Sequence, residues 1–163
     1  MNFDAFAQMS DDTRLWAYAF DREFTPDEVE RLDEIMRAFL PGWVSHGTSV
    51  IGAYAVVENR FLLVAGYCGD GIGGCSTDSS VRVVQEIASA LQANAFDRSL
   101  VFFRNGGGKV VAVSRDDFQE LVKQKHVSPD TLVFDTTVQS LGDLRANRFE
   151  TAYEKSWHAR AFG

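Results

Sequence analysis

Three side chains in the first half of the chain could act together in catalysis. Cys75 stands where a glycine-rich loop, Gly69-Asp70-Gly71-Ile72-Gly73-Gly74, gives way to a helical stretch. The orphan N–H groups and dipole of a helix start can lower a thiol pKa and make it nucleophilic. His46 could serve as its base and Asp78 could orient the imidazole, a Cys-His-Asp arrangement suited to acyl or thiol chemistry. A plainer reading stands beside this one: a small buried cysteine, an aspartate capping the helix and a histidine in a turn. Cysteine is among the most often buried residue types, which favours the plainer reading.

The same loop also suits a binding site. Gly71, Gly73, Gly74 and Ser76, with Arg104 from further along the chain, are the candidate ligand-binding residues. Gly69, Gly71 and Gly74 match a dinucleotide fingerprint in form. The strand before them belongs to a hairpin, however, the helix starts only after Gly74, and Asp70 and Asp78 would repel a pyrophosphate. Gly106-Gly107-Gly108-Lys109 lacks the upstream glycine and the Ser or Thr of a phosphate-binding loop, and reads as a hairpin tip. His46, Cys68 and Cys75 could offer three metal donors, but no closely spaced ligand pair accompanies them. Neither a metal site nor a cofactor is expected.

The elements that must position these residues follow from hydrophobic spacing and punctuation. Arg14 to Phe20 reads as a strand. Thr25-Pro26-Asp27-Glu28 is a capping box with proline at the first helical position, and Val29, Leu32, Met36, Phe39 and Leu40 follow at helical spacing. Val50–Val57 and Phe61–Tyr67, separated by three residues, form an antiparallel hairpin. Ser76, Thr77 or Asp78 caps a second helix with Val81, Val84, Ile87, Ala88 and Leu91 on its buried stripe. Ser99–Phe103 and Val110–Val113 are strands, Ser114 to Val122 a short helix, and Leu132–Phe134 a last strand. Leu141–Arg145 and Tyr153–Arg160 read as helical.

The first six elements give the order β-α-β-β-α-β. The expected fold is therefore a single α+β domain over residues 1–163, with a ferredoxin-like βαββαβ core and a C-terminal β/α extension. In that topology His46, Cys68, Asp70, Cys75, Asp78 and Arg104 would share one edge of the sheet.

Trp43-Val44-Ser45-His46-Gly47, Asn59-Arg60-Phe61, Gly74-Cys75-Ser76-Thr77-Asp78-Ser79-Ser80-Val81 and Phe96-Asp97-Arg98, in this order, resemble a family of small bacterial proteins of unknown function. Its members are often labelled ABC-transporter ATPases. The resemblance implies a bacterial cytoplasmic protein and supplies no residue roles. The ATPase label carries no weight, because the phosphate-binding loop is missing.

Totals narrow the function classes. The 163 residues carry a net charge of −7, the wrong sign for binding duplex nucleic acid or anionic membranes. No apolar run is long enough to span a bilayer, and the first residues do not form a secretory signal, so a cytoplasmic location with reduced thiols is expected. RNA-binding aromatics are missing from Arg60–Tyr67. Three readings remain: a module binding a small polar ligand or protein partner at loop 68–78, a thiol-dependent enzyme using Cys75 and His46, and a homodimer. The last would join through sheet edges or a C-terminal face of Tyr153, Trp157 and Arg160.

Overall fold

A computed structural model describes residues 2–69 and 74–163, with side chains at 74–76 left out of the description. Strand β1 (Arg14–Ala19) leads to helix α1 (Pro26–Phe39). Thr25 and Glu28 close the expected capping box, and Arg22 grips the Glu28 carboxylate with both terminal nitrogens, at 2.8 and 2.5 Å. Two-residue strands β2 (Val44–Ser45) and β3 (Thr48–Ser49) follow, then β4 (Ile51–Val57), β5 (Phe61–Tyr67) and helix α2 (Gly74–Leu91). The second half contains β6 (Leu100–Arg104), β7 (Val110–Ser114), α3 (Arg115–Lys123), β8 (Leu132–Phe134), α4 (Leu141–Arg145), β9 (Glu150–Ala152) and α5 (Trp157–Phe162).

The mixed α+β character is as expected. Among the described residues, the strand pairing divides between two larger antiparallel sheets and the separate β2-β3 hairpin. The first has the order β1-β5-β4 and the second β7-β6-β8-β9. A ferredoxin-like sheet would place β6 beside β1; here β6 is hydrogen-bonded to β7 and β8 instead.

Packing explains the departure. Strand β5 is buried on both faces. Leu62 and Val64 join Tyr18, Leu32, Met36, Val84 and Ile87 in a core beneath α1 and α2. Phe61, Leu63 and Ala65 point the other way, into a core shared with Phe102, Val110 and Phe134 of the second sheet. A single sheet with helices on one side would leave that second face wet. Burying a large apolar side chain is worth about 1.5–3 kcal/mol, so the C-terminal half forms a second sheet over this face. Beyond it, Val101, Phe103 and Val133 pack against Phe118 of α3 and Phe162 of α5. The molecule is thus four layers: helices, sheet, sheet, helices.

Two details tie the layers together. Trp43 is buried and lies on the cross-strand pair Gly52 and Gly66, where a Cβ would come within 2.9 and 2.6 Å of its ring, so glycine is required at both. Arg60, before β5, is also buried. Its Nε and Nη2 donate to the Phe20 carbonyl beside the first sheet, at 3.4 and 3.3 Å, and its Nη1 donates to the Val110 carbonyl of the second, at 3.2 Å. The guanidinium also lies over the Phe102 ring.

Candidate functional site

The residues singled out from the sequence fall into separate places. His46 is exposed at the tip of the β2–β3 hairpin. Its φ of 50° and that of 79° at Gly47 make the mirror-image turn that closes two-residue hairpins. This hairpin packs against α2. Asp78 is exposed on α2, and Cys68 is buried just after β5. Gly71 and Gly73 lie outside the described residues. Gly74, Cys75 and Ser76 belong to the first turn of α2, with their side chains outside the description.

Arg104 is remote from that group. It donates to Glu58 at 2.5 Å and to Glu150, and it lies over Phe134. Glu58 precedes β5 and Cys68 follows it, so the two residues mark opposite ends of that strand. The transfer of β6 to the second sheet separates Arg104 from the glycine-loop end. Both carboxylates raise the Arg104 pKa, and the guanidinium is occupied as a structural tie. Among the described residues, no group of three or more His, Cys, Asp or Glu side chains could hold a metal ion. No helix among them is long and apolar enough to cross a membrane.

A different cation-rich site forms between the layers. A cleft of about 840 Å³ opens between the outer edge of β1 and the second sheet, within the range of roughly 300–1,000 Å³ typical of ligand pockets. Ala17 and Ala19 of β1 and Leu100 and Phe102 of β6 form its apolar walls. Phe96, exposed on the loop before β6, stands at its mouth with its ring edge against Tyr18. Arg98, Arg115, Arg148, Lys155 and Arg160 surround it.

These five are drawn from the 16 Lys and Arg residues of an acidic chain, and they face only two acids, Asp97 and Asp135. Both acids are engaged within their own turns. Asp97 accepts from the Ser99 amide and hydroxyl, which lower its pKa, and Asp135 accepts from the Thr137 amide and hydroxyl. Arg148 pairs with Asp143 at 2.8 Å. Arg98, Lys155 and Arg160 have no ion-pair partner among the described residues. By contrast, a shallower groove of about 630 Å³ between α1 and α2 balances Arg31 and Arg82 against Glu34 and Glu86.

The cleft wall is supported from behind. Arg115 lies 5.6 Å from the ring centroids of both Trp157 and Phe162, which hold the guanidinium by cation–π attraction. His158 stacks on Trp157 at 3.9 Å and is buried. Burial pushes its pKa down to about 4, against the pull of Asp135 and with the help of Arg115, so the ring is neutral at pH 7. Its Nδ1 is 3.3 Å from the Ser156 Oγ, but that hydroxyl donates to the Tyr153 carbonyl at 2.7 Å. The serine proton is therefore directed away from the imidazole, and the pair positions α5 rather than forming an activated nucleophile.

Sequence reasoning missed this site because its cations, at positions 98, 115, 148, 155 and 160, have no common spacing. They converge only when α3, α5, the 3-10 turn before α5 (Tyr153–Lys155) and the loops before β6 and β9 meet. Comparison of the chain with protein-family models, with curated proteins and with solved structures finds no match in any of the three.

Proposed function

We propose that the protein is a binding module that takes a small anionic ligand in the cleft between the β1 edge and the second sheet. The observation that supports it is the gathering of five cations around one ligand-sized cleft in a chain of net charge −7. Low-dielectric walls with charge of one sign focus the field and concentrate anions. The order β1-β5-β4 supports reading β1-α1-β4-β5-α2 as a ferredoxin-like unit in which the place beside β1 is left to the cleft. The resemblance to the bacterial family named above belongs to the same proposal and adds no residue role to it.

Titration of labelled protein with sodium pyrophosphate tests the reading. Amide and indole shifts are expected at Arg98, Arg115 and Trp157. Arg160→Gln and Lys155→Gln should each weaken binding about twofold to fivefold, as expected for exposed charges, and added salt should weaken it further. If no residue of the cleft shifts, the reading is wrong.

A second reading, a thiol-dependent enzyme with Cys75 as nucleophile and His46 as base, is favoured by one observation. The hairpin that carries His46 packs against α2, whose first turn contains Cys75. It predicts that Cys75 alkylates rapidly near neutral pH in a Cys68→Ser background and that His46→Ala slows it. An ordinary titration, with a midpoint near about 8.5, would remove this reading. For a protein partner we propose a second copy of the chain, joined along β4.

A further inference from the structure

The backbone of β1 itself faces the cleft. In a strand, the N–H and C=O of alternate residues point to the same side. Leu15 donates its N–H to the Gln139 carbonyl, and the Thr13 carbonyl accepts from Leu141, so odd-numbered residues face away from β5. The Asp21 amide, bonded to the Asn94 carbonyl, continues that series, whereas the Phe20 amide turns toward Arg60 on the β5 side. The groups of Ala17 and Ala19 therefore point outward between two paired positions, and both residues line the cleft. They have no partner on that side among the described residues.

We infer that the ligand is a short acidic peptide, bound in extended form as an added strand on β1. The inference rests on the proposed anion-binding cleft and names its ligand class. An unpaired strand edge is a template for main-chain pairing, and side-chain pockets beside it give specificity. Leu15 to Asp21 spans about 20 Å of strand at roughly 3.4 Å per residue, and both ends are already paired. Only about three peptide residues can pair between them. Carboxylates on such a peptide meet Arg98, Arg115, Lys155 and Arg160 on the rim, and an apolar side chain meets Phe96. A free inorganic anion would use the cations and leave the Ala17 and Ala19 groups to water. A peptide uses both.

The test uses acetyl-Glu-Val-Glu-Val-Glu-amide and two derivatives, one N-methylated at the valine amides and one at the glutamate amides. Strand addition predicts that one methylated set loses about tenfold or more in affinity, each lost hydrogen bond leaving a group unsatisfied. The other set, whose amides face away, should bind like the parent. The Ala17 and Ala19 amide resonances should move downfield and gain exchange protection. Ala19→Pro removes one outward N–H at a position an edge strand tolerates, and should weaken the peptide by a larger factor than it weakens pyrophosphate. Equal binding of both methylated sets overturns the strand geometry. Pyrophosphate shifts without peptide binding overturn the peptide and leave the anion-binding cleft standing, whereas silence from both probes removes the cleft as well.

Discussion

Along its β1 edge the first sheet is paired at both ends and open in the middle, where five cations surround the gap. Along its β4 edge no further strand is paired among the described residues. Residues 51–57, Ile-Gly-Ala-Tyr-Ala-Val-Val, contain no charge and no proline, and Ile51 is 64% exposed. Charges, prolines and bulges are the usual guards of an open edge. The first edge is thus a bounded slot lined by cations, and the second is an uncharged strand, exposed at Ile51 and part-buried beyond it. This difference is the ground for proposing a ligand at β1 and a like partner at β4.

The comparison fails if the edges are not held by one common support, and Phe61 is that support. Its ring lies against Phe102, Phe134 and Phe149 at 4.7–5.5 Å, at the centre of the interface between the sheets. Phe61→Ala should destabilise the protein by about 3–5 kcal/mol and disturb both edges together, as read by denaturant unfolding and amide shifts. A loss confined to one edge would show that the sheets do not act as one unit.

Acid should distinguish the edges. His158 is neutral in the folded protein, with its pKa pushed down to about 4 from an ordinary 6.5. The unfolded chain takes up the proton first, so this contribution is complete above about pH 6.5 and is lost as pH falls toward 4. Asp135 and Arg115, which act on the ring, both line the cleft. Thermal midpoints should therefore fall across that window, and His158→Gln should flatten the fall. Amide shifts should change around α5 and the β1 cleft before they change along β4.

The smallest effect on stability concerns β4. Sedimentation at micromolar concentration should show a dimer, and Ile51→Lys, a charge on the open edge, should shift it to monomer with little change in unfolding. A monomeric parent protein would withdraw the partner from β4 and leave the slot on β1 untouched.

What the sequence revealed is local. The capping box at Thr25, the β4–β5 hairpin and the β6–β7 hairpin at Asn105–Gly108 are each specified by neighbouring residues, and each forms. The Ser45-His46-Gly47-Thr48 hairpin carried a legible signal, a glycine where φ is positive, that was read only as a turn. Strand β9 has no counterpart among the elements expected from the sequence, and the helix expected over Tyr153–Arg160 divides into a 3-10 turn, Tyr153–Lys155, and α5, which runs to Phe162. The assignment of β6 to a sheet is a different kind of question. Leu100-Val101-Phe102-Phe103 is apolar on both faces and would suit the centre of either sheet. Only the demand of Phe61, Leu63 and Ala65 for cover decides it. The cleft depends on that decision and was correspondingly out of reach.

Arg60 has a bearing on how the slot can work. Its one guanidinium must stay within reach of the Phe20 and Val110 carbonyls at once, so the two sheets cannot slide past each other without breaking a buried contact. The walls of the slot are therefore a fixed gauge. If the slot binds as proposed, accommodation of different ligands would fall to the long side chains at the rim, and thickness as well as charge would limit what fits.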